Sequence, residues 1–297
     1  MEIAYCTWSM RDVPLEEGLP VIAQIGYTGI ELAVTPGWPT ELYTLDAATR
    51  RRIRELLAAY DLTLAAIAGH TTVCAEDPDE HAANMQRLRD TIDLADDLRQ
   101  KGHTPVVVSL VGGDVDDWGR LKHLVAERVA ELGGYAASKG VIFAPEMHSG
   151  TAMDLPRKAV WLVEQVNHPS VKLNFDISHT EIEGMPTEEA CRAMGPHTVF
   201  THVKDQRGYF PWTYEFLTPG AGPCDYVRYL KAMDAAGYTG FIGMEVSVMV
   251  QRQPGYDPFV DAALGYYALR RAFNASGVPL ARINPRATIQ PRSGGTR

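Results

Sequence analysis

The chain has 297 residues, 45% of them hydrophobic, and a formal net charge of −9. That length suits one large or two small globular domains of ordinary composition, and the acidic balance argues against a protein built to grip a phosphate backbone, which would carry a basic face. Cys6, Cys74, Cys191 and Cys224 are scattered and form no C-x-x-C pair, so neither a disulfide framework nor a thiolate zinc site is expected.

Strand and helix signals then alternate along the chain. The opening MEIAYCTW reads as a strand, over residues 3–8, rather than as a secretory leader. No apolar run approaches the roughly 20 residues that span a bilayer, and a cytoplasmic protein is expected. Residues 14–25 read as a helix and 28–34 as a second strand, with Ile30, Leu32 and Val34 outward and Glu31 inward. Asp46 caps a helix to Tyr60, and 62–69 is strand three. Asp77-Pro78-Asp79-Glu80 joins a capping Asp, a proline at the first helical position and an acid three residues on, opening a long helix to about Gln100. Strand four is 106–111, and the helix over 117–138 leaves through Gly140.

Strand five, within VIFAPEMHSG (141–150), ends in a carboxylate and an imidazole two residues apart; alternation puts Glu146 and His148 on one face with Ile142 and Ala144. Asp154 caps a helix to Val166, and strand six, 171–177, sets Asp176 opposite Leu173, Phe175 and Ile177. Thr187 caps a short helix to about Met194. Strand seven, 197–203, presents His202, with Lys204 on the same face; Asp225 caps a helix to Ala236; strand eight, 240–246, alternates Glu245 with Ile242, Met244 and Val246. Asp257-Pro258 opens a last helix to about Asn274.

Eight strands alternating with eight helices close by right-handed crossovers into a single α/β domain, a (β/α)8 TIM barrel over 1–275. A doubly wound open sheet is the competing topology, but it gives strands five to eight no common point. Two segments break the rhythm. The aromatic and glycine-rich loop 204–222 lies where active-site lids sit. The basic tail, 276–297, is expected to be mobile or an arm laid on a neighbouring subunit.

Glu146, Asp176, His202 and Glu245 thus place three carboxylates and one imidazole at one end of the barrel. Converging carboxylates are costly to bury without a cation. An oxygen-rich set with one nitrogen suits one divalent metal ion, Mn²⁺ first, with Mg²⁺, Co²⁺ and Zn²⁺ as alternatives. His148 faces the same cavity as a substrate hydrogen-bond donor, a prop or a general base. Lys204 either neutralises a substrate oxyanion or pairs with Asp205 or Asp176. Residues 218–222 carry no lysine or arginine and read as a turn rather than a phosphate cradle.

GYTGIEL, PEMH, NFDISH, HVKD, TPGAGPCDY and GMEVS resemble, in that order, the motifs of the xylose isomerase-like TIM-barrel superfamily, in particular its sugar isomerase/epimerase branch. The resemblance implies that Glu146, Asp176, His202 and Glu245 bind the metal, that His179 contacts substrate oxygens, and that Arg207 lies where epimerases place a substrate-binding arginine. It further implies that Glu146 and Glu245 flank the reacting carbon as an acid/base pair, while the metal polarises a carbonyl and stabilises an enediolate. Trp8, Phe210 and Trp212 are candidates for an apolar wall under a sugar ring. His70 matches a zinc ligand of the related apurinic-site endonucleases, but Ser109 stands where another histidine is expected and no D-x-H follows strand seven. That trinuclear site is incomplete, and His70 is left facing the substrate.

The expected activity is isomerisation or epimerisation of an unphosphorylated ketose, inosose or related sugar. The alternative outcome is elimination with His148 as the base, as in inosose or dehydroshikimate dehydratases and in lyases that cleave 3-keto-glycosides, C-glycosides included. A metal-free barrel serving only as a subunit or binding module is the reading from another class. The expected partner is a small sugar or polyol, with no nucleic acid and no membrane. A homo-oligomer is expected, or on the lyase reading a hetero-oligomer with a small subunit.

Overall fold

A computed structural model describes residues 1–288. The strands are β1 (Glu2–Cys6), β2 (Gly29–Ala33), β3 (Thr63–Ala68), β4 (Val106–Leu110), β5 (Ile142–Glu146), β6 (Leu173–Asp176), β7 (Thr198–Val203), β8 (Asp205–Gly208), β9 (Tyr214–Leu217) and β10 (Phe241–Met244). All but β8 and β9 run parallel and close into one eight-stranded barrel, each pairing with the next in sequence and β10 returning to β1. Helices α1 (Leu15–Ile25), α2 (Ala47–Ala59), α3 (Pro78–Asp97), α4 (Trp118–Ser138), α5 (Pro156–Val166), α6 (Ile177–Ile182), α7 (Thr187–Met194), α8 (Tyr226–Ala235), α9 (Val248–Gln251) and α10 (Pro258–Ser276) complete the (β/α)8 architecture. No helix among the described residues is long and apolar enough to cross a membrane.

Strand alternation divides the core into two layers. Ile3, Ile30, Leu32, Phe143, Phe175 and Ile242 point outward and join the helices in one large apolar cluster. Ala4, Ala66, Val106, Val108, Ala144 and Phe200 fill the barrel interior. The Phe200 ring lies in that interior beside Gly243 of β10, where a Cβ would come within 2.6 Å of the Thr201 carbonyl oxygen and 2.8 Å of the Phe200 ring. Burying such a ring contributes on the order of 1.5–3 kcal/mol. His202, two residues on, stands over it with ring centroids 5.5 Å apart, so Phe200 is the floor of the site.

Most helix starts follow the expected capping chemistry. The Asp77 carboxylate accepts from the N–H groups of Asp79 and Glu80 at 3.0 and 2.9 Å, and Asp46, Asp225 and Asp257 cap α2, α8 and α10. Two expected caps are corrected. Asp154 turns instead to Lys158, 2.6 Å away, and α5 begins at Pro156 without a side-chain cap. Thr187 is already inside α7; Pro186 precedes it, and the Thr187 hydroxyl donates to Glu181.

Three further differences concern the end of β6, the loop after β7 and the tail. β6 stops at Asp176 rather than running to Ile177, because the Asp176 carboxylate accepts from the Ser178 N–H and hydroxyl at 2.9 and 2.7 Å and starts α6. The loop after β7 is not irregular: β8 and β9 pair as an antiparallel hairpin. Of the tail, residues 281–288 are bonded to the chain's own barrel. Arg282 pairs with Glu2 at 3.0 Å, and the buried Asn284 amide donates to the carbonyls of Tyr27 and Tyr60, both at 2.9 Å. These contacts close the end of the barrel opposite the strand C-termini. Residues 289–297 lie outside the described residues.

Candidate metal centre

The C-terminal ends of four adjacent strands deliver the candidate ligand set. Glu146 ends β5, Asp176 ends β6, His202 lies one residue before the end of β7 and Glu245 directly follows β10. In the barrel's register Asp176 is the partner of His202, and His202 that of Gly243. One donor atom from each of Glu146, Asp176, His202 and Glu245 lies within 4.8 Å of all the others, and all four residues are buried.

His202 organises the cluster. Its Nδ1 lies 3.1 Å from Glu245 Oε2 and 3.4 Å from Glu146 Oε1, beside the Asn174 amide at 3.1 Å. Its Nε2 lies on the other side, between the two oxygens of Glu31, the barrel-interior bond expected for that residue. Burial alone would lower the imidazole pKa, but Glu31, Cys6, Glu146 and Glu245 outweigh it and hold His202 well above its ordinary value. Burial pushes the Cys6 thiol up, with Glu31 adding to it, so Cys6 stands by as a neutral thiol.

Lys204 lies in the same cluster. Its ammonium donates to Asp176 Oδ2 and, at 3.0 Å, to Glu245 Oε2; of the expected partners, Asp176 is the one engaged and Asp205 is not. The pairing with these carboxylates outweighs burial and raises the Lys204 pKa. Burial would likewise raise Glu146 and Asp176, yet His202 and Lys204 draw both down: His202 leads for Glu146, Lys204 for Asp176.

These groups fit a divalent cation on three counts. Glu31, Glu146, Asp176 and Glu245 bring four carboxylates into a buried space where Lys204 is the one permanently charged base, so the cluster is short of positive charge. Glu146 Oε2 is buried without a hydrogen-bond partner. With Nε2 held by Glu31, Nδ1 is the nitrogen that faces the carboxylates, and a cation displacing its proton would meet a carboxylate-oriented histidine ligand.

Above these four residues lies a pocket of about 280 Å³, lined among others by Trp8, His70, Glu146, His148, His179, Lys204 and Glu245. His179 is buried and neither ring nitrogen has a hydrogen-bond partner, though Nε2 approaches Asp176 Oδ2 at 3.5 Å. Burial, with His148 next to it, holds the His179 pKa well below its ordinary value. The His148 ring packs on it at 3.8 Å, and His148 Nδ1 lies 2.8 Å from the Ser149 carbonyl. A carbonyl only accepts, so Nδ1 carries a proton, and in the neutral tautomer Nε2 is the nitrogen with the lone pair. His70 has a φ of 42°, left-handed backbone rarely adopted outside glycine and common where function fixes geometry.

Some expected wall residues stand elsewhere. Arg207 lies on the exposed side of β8, paired with Glu215 across the hairpin at 3.0 Å, on the face opposite to that of Gln206 and its partner Phe216. Trp212 is 83% exposed at the hairpin tip, and Phe210 packs toward Gly150. Phe216, on β9, lines the pocket instead, its ring 5.1 Å from that of His179. It was missed because the hairpin that turns it inward has no alternating pattern long enough to read.

The chain belongs to the xylose isomerase-like TIM barrel family, whose profile matches residues 19–262. It is 26% identical to the rhizopine catabolism protein MocC of Rhizobium meliloti over 93% of this chain and 89% of that one. It is 25% identical to an L-ribulose 3-epimerase of a Methylomonas species over 75% of each. A 3-dehydroshikimate dehydratase of Pseudomonas putida is 26% identical over 78% of this chain, which spans 36% of that longer protein. Among solved structures, the IolI protein, determined with a bound zinc atom, superposes with a TM-score of 0.77 at 16% identity, over 95% of this chain and 100% of that one. Its relatives thus include both epimerases and dehydratases.

Proposed function

We propose that this protein is a divalent-metal-dependent isomerase or epimerase of an unphosphorylated ketose, inosose or related cyclic polyol. The observation that carries the reading is the convergence of Glu146, Asp176, His202 and Glu245 beneath a pocket that both glutamates line. Manganese is the metal proposed. A divalent ion held by these four residues supplies Lewis acidity, polarising a substrate carbonyl or hydroxyl so that the neighbouring C–H becomes acidic. The chain's own groups do the rest. Glu146, kept ionised, takes the proton through its unpartnered Oε2, and Glu245, once it has taken a proton from solvent, delivers that proton to the other face of the carbon, while Glu146 gives its own up to solvent. His179 and His70 offer ring nitrogens to substrate hydroxyls, Lys204 faces developing negative charge, and Trp8 and Phe216 enclose the ring. The one lysine in the lining is engaged by two carboxylates, which supports an unphosphorylated sugar ring in this pocket.

A second reading keeps the site and changes the outcome. His148 Nε2 is a free lone pair at the pocket wall, suited to removing a proton ahead of loss of a β-substituent, as a dehydratase or glycoside lyase requires. Incubation of the Mn²⁺-loaded protein with ketoses, inososes and 3-keto-glycosides in D₂O separates the two. Deuterium incorporated with no leaving group released supports the first; release of water or an aglycone supports the second; neither, with any substrate of these classes, overturns both.

A further inference from the structure

A second compartment adjoins the catalytic pocket. It encloses about 380 Å³ against the 280 Å³ over the ligands, and Val248 lines both. Val248 is three residues from Glu245, so the second space begins next to the proposed acid/base pair. The partition between the two is a stacked indole pair, Trp8 on the catalytic side and Trp38 on the other, 4.2 Å apart and 16° from parallel. It is pinned: the Trp8 carbonyl accepts from Trp38 Nε1 at 3.2 Å and from Gln251 Nε2 at 3.3 Å.

The lining of this second space is amphipathic. Met10, Val13 and Trp38 give it an apolar floor, and Arg11 and Arg252 stand at its exposed rim, with Asp12 as the one acid. Arg11 lies over the Trp38 ring at 5.0 Å and donates to the Gly37 carbonyl. The Arg252 guanidinium has no hydrogen-bond or ion-pair partner among the described residues. In a chain of net charge −9, two guanidinium groups beside an apolar floor select a flat apolar group that ends in an anionic oxygen.

We propose that this compartment is a substrate subsite, and that the natural substrate carries, beyond the sugar or cyclitol ring, an aromatic appendage bearing a carboxylate or phenolate. This rests on the reading of the neighbouring pocket as the sugar site. The 280 Å³ space lies just under the roughly 300–1,000 Å³ of pockets for drug-sized ligands. It accommodates a ring, and the appendage passes over Val248 into the second space.

The test titrates the Mn²⁺-loaded full chain with benzoate and follows tryptophan fluorescence. The expected results are an affinity for benzoate that saturating D-fructose and Glu146→Gln leave unchanged, and that falls about tenfold in Arg252→Gln, the loss of one charge-assisted hydrogen bond. Val13→Trp, which fills the floor, weakens benzoate similarly, and benzyl alcohol binds about tenfold more weakly than benzoate by the same bond. A 4-carboxyphenyl glycoside binds more tightly than benzoate, because it engages both spaces. Absence of benzoate binding, displacement of benzoate by D-fructose, or full affinity in Arg252→Gln overturns the proposal. Benzoate bound as described, with no proton exchange on any sugar, leaves the subsite standing and removes the catalytic reading; the reverse pair of results does the opposite.

Discussion

Both carboxylate oxygens of Glu31 lie 3.0 Å from His202 Nε2. The bond crosses the barrel interior from β2 to β7 and fixes which imidazole nitrogen faces Glu146 and Glu245. Replacing the carboxylate by an amide lets either ring face turn inward. Glu31→Gln is therefore expected to weaken Mn²⁺ binding by about 10–100-fold while the fold persists. Calorimetric titration of the chelator-stripped protein checks this, and unchanged affinity contradicts an orienting role.

Lys204 holds Asp176 and Glu245 together. With the ammonium removed, two buried carboxylates lose their counter-charge, a cost of about 3–5 kcal/mol. Lys204→Met should lower the melting temperature strongly in chelator and recover much of the loss when Mn²⁺ is added. Equal melting of variant and parent in chelator counts against the pairing.

His148 distinguishes the two chemical outcomes. As the general base of an elimination it contributes about 10²–10⁴-fold to rate, and His148→Gln should abolish release of a leaving group to that extent. If the glutamates carry proton exchange, the same variant retains deuterium incorporation within about tenfold of the parent, the size of one lost hydrogen bond. Loss of exchange by the larger factor makes His148 the base.

Glu181, on α6, is half-buried, and burial raises its carboxyl pKa against three hydrogen bonds that lower it. A folded-state pKa above the unfolded one favours folding while the group is protonated, and that contribution is lost as pH rises through the raised value. Glu181→Gln removes the loss, and with the Gln206 amide turned over its N–H can donate to Gln206 Oε1, now buried without a partner, in place of the Gln206 Nε2 bond to Glu181. Its melting temperature should exceed the parent's near pH 8, as an order-of-magnitude choice above any such pKa, and the margin should shrink on acidification. A margin that grows in acid contradicts the assignment.

What the sequence disclosed follows from period and caps. Alternation around Glu146, Asp176, His202 and Glu245 placed all four on the inward face because a barrel strand admits only two directions. Asp77 and Asp46 announced their helices because a cap is a local contact. Asp154 misled for the same reason: a lysine four residues on offers it a stronger partner than backbone N–H groups. Arg207 and Phe216 were beyond reach, since which side of a short hairpin faces the pocket is decided by contacts formed only in three dimensions, such as that of Phe216 with His179. The anchoring of Asn284 beneath the barrel was hidden likewise, in a stretch whose composition suggests mobility.

The most direct test is anomalous diffraction at the manganese edge from crystals grown with Mn²⁺. A single strong peak among Glu146, Asp176, His202 and Glu245, at about 2.0–2.6 Å from an oxygen or nitrogen of each, is the predicted result. No peak there, or a peak ligated by other residues, contradicts the metal centre and with it the proposed chemistry.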